Sequence, residues 1–243
     1  MKRITKSRPP AQLSSWLKKQ NGKDCDYSRL QGDDRKAVLE KLISDQGWIC
    51  CYTGLRITAD SSHIEHLYPQ TLCRKDDGLR SLHGAKRDVD YKNLLAAHPQ
   101  PNKSCDFGAV YRGSWWDEIL FVHPLRADCE SQFRYNLNGG IDSADGKKDG
   151  AAEVTINKLN LRDGYLVAQR AAAIDEFLFD DNEPLPPTQI ERLASRIMEK
   201  DGTGKHRAFC FVLKQASIEL LKKAHREHVR REEIHRRQRN KAK

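Results

Sequence analysis

The stretch Ser62-His63-Ile64-Glu65-His66-Leu67-Tyr68-Pro69 decides how the rest of this chain is interpreted. His63 and Glu65 alternate with an apolar residue, as in a β-strand, and Pro69 ends the strand because proline cannot donate to a strand ladder. An acidic residue followed at once by histidine at a strand end suits a metal-assisted hydrolase. Glu65 can hold a cation while His66 takes a proton from water. We therefore expect a catalytic site where this strand ends.

The composition combines a polar surface with a strong positive charge. The 243 residues are 38% hydrophobic and 32% charged, and the formal net charge is +9. This length suits one large domain or two small ones, and the charge favours a polyanionic partner, most simply nucleic acid, over a generic basic surface. Residues 222–243 carry ten basic and three acidic side chains, a net charge of +7. This tail is expected to contact phosphates or a partner, or else to be a solvated helix end.

The sequence contains no signal for export or membrane insertion. Residues 1–10 are basic, but no apolar run follows them, and no stretch is long enough to span a bilayer. We therefore expect a cytoplasmic protein without a membrane partner. Its seven cysteines are then expected to be reduced.

Residues 48–110 predict strands, a long loop and a helix, which together make a ββα unit. Thr53-Gly54 is a turn between two of the strands, and residues 70–90 are polar and irregular. Asp88 or Asp90 can cap a short helix that includes residues 93–97. The predicted strands cover residues 48–52, 55–58 and 63–67.

Beyond residue 110 the sequence predicts two further strands and then helices only. Asn138-Gly139-Gly140 is a strong hairpin signal. The predicted strands cover residues 119–122 and 133–137. The predicted helices cover residues 151–159, 163–179 (capped by Asp163), 189–200 (capped by Thr188) and a last segment from residue 206 to the C-terminus.

A ββα unit with these residues can hydrolyse phosphodiesters. Glu65 supplies a hard oxygen ligand for Mg²⁺ or a similar cation, and His66 deprotonates the attacking water. Asn93 can hold the imidazole in its productive tautomer through a backbone or side-chain hydrogen bond. A further ligand from the helix would complete the metal site, where the cation polarises the phosphate.

Three motifs, in this order, resemble those of HNH endonucleases. They are Cys50-Cys51-Tyr52, His63-Ile64-Glu65-His66 with Pro69, and Tyr91-Lys92-Asn93-Leu94-Leu95. The His-Ile-Glu-His form is similar to the PtuB-type nuclease subunits of Septu and retron-associated anti-phage systems. Further stretches that resemble this subfamily are Pro124-Leu125, Asp128-Cys129-Glu130, Phe133 and Asn160-Leu161.

The resemblance implies a role for each motif residue. His66 becomes the general base, Glu65 the metal ligand in a position that is Asp in many relatives, and Asn93 the middle residue of the motif. The implied cofactor is a divalent cation, Mg²⁺ or Mn²⁺. The third position of the HNH motif, which supplies a further metal ligand, has two candidates. Counting from Asn93 gives Asn102, whereas alignment of Cys105 with a helix cysteine of the family gives Asp106.

The chain departs from the family at the positions of a structural zinc. Many relatives carry two Cys-x-x-Cys pairs there. Here the first reads Cys50-Cys51-Tyr52-Thr53 and the second His98-Pro99-Gln100-Pro101, so closure by four ligands is not evident. We therefore do not expect a structural zinc. The same departure also fits the alternative that the active site is degenerate.

Together these observations predict an α+β fold with a ββα-metal (HNH) core, a small extra hairpin and a mostly helical C-terminal half. Residues 1–47 are expected to form a basic arm and helices, residues 48–140 the nuclease core with its hairpin, and residues 151–243 a helical region with a basic C-terminal helix.

The leading hypothesis for function is a metal-dependent HNH endonuclease. The resemblance implies an anti-phage effector that acts with a PtuA-like ABC-type ATPase subunit, and it admits a retron reverse transcriptase and its RNA–DNA product as partners. The alternative is a basic nucleic-acid-binding or assembly protein with a vestigial HNH site.

Overall fold

The computed structural model describes residues 1–20, 25–75 and 86–241. Within them the chain forms helices and three two-stranded antiparallel sheets. The helices are α1 (Ala11–Lys19), α2 (Gly32–Asp45), α3 (Gln70–Lys75), α4 (Gly108–Arg112), α5 (Ala151–Lys158), α6 (Gly164–Leu178), α7 (Pro187–Arg196) and α8 (Cys210–Lys241). The strands are β1 (His63–His66), β2 (Leu94–Ala97), β3 (Phe133–Tyr135), β4 (Ile141–Ser143), β5 (Phe179–Asp180) and β6 (Glu183–Pro184).

Strands β1 and β2 pair antiparallel, with Glu65 opposite Leu95 and His66 opposite Leu94. The predicted strand at residues 63–67 is confirmed, but the predicted helix at residues 93–97 is wrong. All four residues of β2 are buried, so they form the continuous apolar run of a strand covered on both faces. A short 3-10 turn, Tyr91–Asn93, precedes β2, and Asp90 caps it.

The predicted strands at residues 48–52 and 55–58 are reduced to one bridge, between Ile49 and Arg56. We call this segment hairpin 49–56. It tightens at Gly54, whose φ is +80° and whose missing side chain leaves room for the Phe211 ring. The residue before the hairpin, Trp48, also has a positive φ of 64°, which breaks the extended backbone that a longer strand needs.

In the C-terminal half, the β3–β4 hairpin with its turn at residues 138–140 and helices α5 and α6 confirm the predictions. Helix α7 begins at Pro187, so Thr188 is not its cap. The predicted strand at residues 119–122 is wrong. The Val122 amide donates to Thr155 Oγ1 at 2.8 Å, and that hydroxyl donates to the Leu120 carbonyl at 3.1 Å, so a side chain from α5 takes the place of a neighbouring strand.

Buried residues from all three predicted regions form one hydrophobic cluster, and Met1, Leu42, Leu95 and Leu213 are members of it. The basic arm is therefore packed against the rest of the chain, and Lys6 Nζ donates to backbone carbonyls at the start of β2. Helix α8 is exposed from residue 225 onward as far as its side chains are described. Among the described helices, none is long and apolar enough to cross a membrane.

Candidate active site

Glu65 lies on β1 with its carboxylate enclosed by three neighbours. Its Oε1 accepts hydrogen bonds from Arg112 Nη2 at 2.5 Å and from Tyr52 Oη at 3.2 Å. Its Oε2 lies 3.8 Å from Nε2 of His63. Because Glu65 is only 9% exposed, its charge needs a partner in the protein, and Arg112 provides it.

Arg112 is the last residue of α4, and sequence reasoning did not identify it. Its guanidinium also donates to the carbonyls of His66 at 2.7 Å and Leu67 at 2.8 Å, so it ties α4 to the end of β1. Its partner Glu65 is 47 residues away in the chain, and no local pattern marks such a pair. β1 and α4 therefore meet at one buried ion pair.

The ion pair fixes the charge state of Glu65. Burial alone raises the pKa of Glu65, but Arg112 and the two neighbouring histidines outweigh it, so the pKa falls below its usual value. For His63, burial lowers the pKa, but the bonds to Glu65 and to the Pro99 carbonyl outweigh it and the pKa rises. The carboxylate is therefore ionised at neutral pH.

His66 ends β1 and contacts a different set of neighbours from Glu65. Its Nε2 lies 2.9 Å from the Asp88 carbonyl oxygen, and the edge of its ring packs on Tyr27 with 4.5 Å between ring centroids. Because a carbonyl only accepts, Nε2 carries the proton in the neutral ring and Nδ1 keeps the free lone pair.

The environment also keeps the His66 ring neutral. Burial is the largest influence and lowers its pKa, and the opposing effects of the Asp88 carbonyl and of Glu65 do not reverse the shift. A neutral imidazole with one nitrogen held and the other free can accept a proton from water. His66 therefore has the properties of a general base.

Asn93 contacts the loop after β1 instead of the imidazole. Its Oδ1 accepts from the Tyr68 amide at 2.7 Å, and its Nδ2 donates to the carbonyls of Tyr68 at 3.1 Å and Arg87 at 3.2 Å. The hydrogen bond expected between Asn93 and the ring of His66 is made by the Asp88 carbonyl. Since Arg87 precedes Asp88, Asn93 fixes the backbone that holds the imidazole.

The side chains that best fit a divalent cation are Glu65 and His63. Glu65 Oε2 and His63 Nε2 are 3.8 Å apart, so these two side chains would hold one cation between them. Two protein ligands are enough for Mg²⁺, which usually keeps several waters and binds the phosphates of its substrate. Arg112 takes Oε1, and a cation at Oε2 would replace the contact between this oxygen and His63.

Asn102 and Asp106, predicted as alternatives for the third metal ligand, lie exposed on the segment between β2 and α4. Among the described residues, neither side chain forms a hydrogen bond or ion pair with Glu65, His66 or Asn93. The same part of the chain contains no group of three or more His, Cys, Asp or Glu side chains placed to hold a metal ion. The third ligand therefore stays a prediction.

Two of the positions that the HNH resemblance compares with zinc ligands meet through a hydrogen bond. The His98 amide donates to the buried Sγ of Cys50 at 3.4 Å. Burial raises the pKa of this thiol, but hydrogen bonds from Cys51, Thr53 and the His98 amide outweigh it and lower the pKa to about 5. These donors therefore stabilise the thiolate form of Cys50.

Comparison with known proteins adds a distant relative. No family model matches the chain. A protein named "Retron Vc95 putative HNH endonuclease", from Vibrio cholerae serotype O1 biovar El Tor, is 23% identical over 148 residues, which cover 60% of this chain and 67% of that protein. This similarity supports a relation to HNH endonucleases.

Proposed function

From this similarity and the residues at the end of β1, we propose that the chain is an HNH endonuclease that hydrolyses phosphodiester bonds in nucleic acid. One observation carries the proposal. His66 is a buried, neutral imidazole whose Nε2 is held by the Asp88 carbonyl, and it follows directly after a carboxylate that is kept ionised. The net charge of +9 suits a polyanionic substrate.

In the proposed mechanism, Nδ1 of His66 takes a proton from the attacking water. The Asp88 carbonyl orients the ring and stabilises the imidazolium that forms. Asn93 is a positioning residue, because it fixes the loop backbone that carries this carbonyl. Arg112 keeps Glu65 ionised and in place.

We propose Mg²⁺ or Mn²⁺ as the cofactor, held by Glu65 with His63. A cation at this position would polarise the phosphate and stabilise the leaving oxygen. Asn102 and Asp106 stay the candidates for a further ligand, and either would have to approach Glu65 when the substrate binds. Both carry oxygen donors, which such cations prefer.

We further propose that the protein is a cytoplasmic, PtuB-like effector of an anti-phage system and acts with an ABC-type ATPase subunit. The name of the Vibrio cholerae relative supports a retron context, in which a reverse transcriptase and its RNA–DNA product would be additional partners. The exposed, basic end of α8 would provide a docking surface.

One specific observation favours a second function. The Arg112 guanidinium lies on Glu65 Oε1, where it competes with a metal for the carboxylate. A protein with such a pair could bind nucleic acid or assemble a complex without cutting, as a vestigial HNH site would.

A nuclease assay separates the two functions. Single- and double-stranded DNA, RNA and tRNA are incubated with the protein, with and without an ATPase partner, in Mg²⁺, Mn²⁺ or EDTA. We expect cleavage that depends on the cation and is lost in His66→Ala, while Lys147→Ala, which changes an exposed residue of the loop between β4 and α5, keeps it. Full activity in His66→Ala would exclude the proposed base, and binding without cleavage under every condition would favour the second function.

A further inference from the structure

A wide cleft of about 740 Å³ lies away from the candidate active site, between α7, the segment that leads into α8, and hairpin 49–56. We call it the basic cleft. Six cationic side chains line it, against the two carboxylates of Glu199 and Asp201. The six are Arg56, Arg192, Arg196, Lys200, Lys205 and Arg207.

Asp201 acts at longer range on Arg56 and Lys205, but no carboxylate of the described residues lies within ion-pair distance of the cations of the basic cleft. None of the six takes part in an ion pair with a described residue. The carboxylate of Asp201 is used locally, since it accepts from the amides of Thr203 at 2.9 Å and Lys205 at 3.0 Å. Unpaired cations that share one concave surface create a positive potential, which favours an anionic ligand.

His206 lines the cleft and responds to the charge around it. It is only 8% exposed, and its enclosed Nδ1 has no hydrogen-bond partner among the described residues. Burial is the main cause that lowers the pKa of His206 to about 4, and the positive charges of Lys2 and Lys200 add to it. An anion bound in the cleft would therefore act on His206 through the local potential.

The basic surface extends beyond one phosphate group. Arg192 and Arg196 are one helical turn apart on α7 and therefore lie on the same face. A second, smaller cleft shares Lys200 and His206 with the first and adds Lys2 and Arg3. Asp45 also lines this second cleft and Lys2 pairs with Glu130, so the added charge is mainly that of Arg3. The cations spread over α7 and the segment that leads into α8 suit an extended chain of phosphates better than a single nucleotide.

Hairpin 49–56 connects this surface to the candidate active site. Arg56 lines the basic cleft, and the hydroxyl of Tyr52, in the same hairpin, contacts Glu65. A ligand held along the cleft would therefore lie against the element that also supports the candidate site. This continuity favours nucleic acid over an acidic protein as the ligand.

We infer that the basic cleft binds the phosphate backbone of a nucleic-acid strand, at a site separate from the candidate active site. The inference concerns binding and goes beyond the proposed cleavage. Arg192 and Arg196, both exposed, contact the phosphates, and the strand passes close to His206. Arginine suits this role because its planar fork of donors matches phosphate oxygens.

The test measures binding in the His66→Ala background, where the proposed cutting cannot consume the probe. Arg192→Glu/Arg196→Glu is compared with Lys147→Glu/Lys148→Glu, which makes the same charge change on an exposed loop. Affinity for a labelled single-stranded RNA or DNA is followed by fluorescence anisotropy over a range of salt. The cleft variant should weaken binding at least about tenfold and reduce the slope of log Kd against log salt by about two, and the loop variant should leave the slope unchanged.

Three results would overturn the inference. The cleft variant could bind as tightly as the loop variant. ATP at equal phosphate concentration could displace the probe as well as an unlabelled strand does, which would assign the cleft to a mononucleotide. Polyglutamate could compete better than nucleic acid, which would assign it to an acidic protein. Loss of cleavage in a nuclease assay would bear on the proposed function and not on this binding.

Discussion

The candidate active site and the basic cleft both contact hairpin 49–56, but their arginines differ in burial and in pairing. In the site, Arg112 is buried, paired with Glu65 and bonded to backbone carbonyls. In the cleft, Arg192 and Arg196 are exposed and have no acidic partner among the described residues. The first arrangement holds a geometry, and the second leaves charge available to a ligand.

The difference follows from the cost of removing a charge from water. A buried ion has lost its hydration, so each of its contacts becomes necessary and its removal leaves a partner uncompensated. An exposed arginine keeps its water and needs no partner, so it contributes little to stability and can bind a phosphate at low cost. Substitutions should therefore act mainly on stability in the site and mainly on binding in the cleft.

The largest effect on stability is expected for Arg112→Met. Loss of the guanidinium leaves Glu65 buried without its partner, which typically costs about 3–5 kcal/mol. Urea unfolding measures the change. The double variant Arg112→Met/Glu65→Gln should recover part of the loss, because it removes the uncompensated charge. A loss below about 1 kcal/mol in the single variant would contradict the view that this pair holds the site together.

Asn93→Ala should have the next largest effect, about 2 kcal/mol, because two hydrogen bonds to Tyr68 and one to Arg87 are lost. Hydrogen exchange at the Tyr68 amide should become faster, since Asn93 Oδ1 accepts from it. Asn157→Ala, at an exposed position on α5, is the matched control. Unchanged exchange at Tyr68 would show that Asn93 does not fix this loop.

The same residues show what could be predicted from sequence. The alternation before Pro69 located β1, and with it Glu65 and His66. Strand β2 was assigned to a helix because four apolar residues are too few to distinguish the two periodicities. The imidazole's partner is a backbone carbonyl, at Asp88, and any residue type can provide one.

The two features that sequence reasoning missed depend on contacts between distant residues. Arg112 reaches Glu65 across 47 positions, and α4 has only five residues, which is too short for a periodic signal. The basic cleft combines Arg56 with Arg207, which are far apart in the chain. Net charge indicated a polyanionic partner, but only the packing of residues 206–209 against residues 47–56 brings these cations together.

A smaller effect is expected from the protonation of His206. The fall of its pKa from 6.5 to about 4 corresponds to about 3 kcal/mol, which solvent screening reduces to about 1–2 kcal/mol. Its pKa is 6.5 in the unfolded chain and about 4 in the folded one, so the unfolded state binds the proton first as the pH falls. Stability is therefore complete above pH 6.5 and is lost progressively towards pH 4. Urea unfolding across this range should show a weaker pH dependence in His206→Gln.

Two comparisons sharpen this test. His123, whose pKa burial also lowers to about 4, gives a separate contribution, so only the difference between His206→Gln and the unmodified protein reports on the cleft. A bound strand should reduce the loss of stability at low pH, because phosphates near His206 favour its protonated form. An equal pH dependence in both proteins would show that His206 does not sense the cleft.

The smallest effect on stability is expected for Arg192→Glu/Arg196→Glu, which should change the free energy of unfolding by less than about 0.5 kcal/mol. Both side chains are exposed and unpaired among the described residues, so nothing in the fold depends on their charge. New carboxylates near Lys200 and Lys205 would even relieve repulsion within the cleft. If urea unfolding instead showed a loss above about 1.5 kcal/mol, these arginines would support the structure, and weaker nucleic-acid binding by this variant would no longer report on ligand contacts.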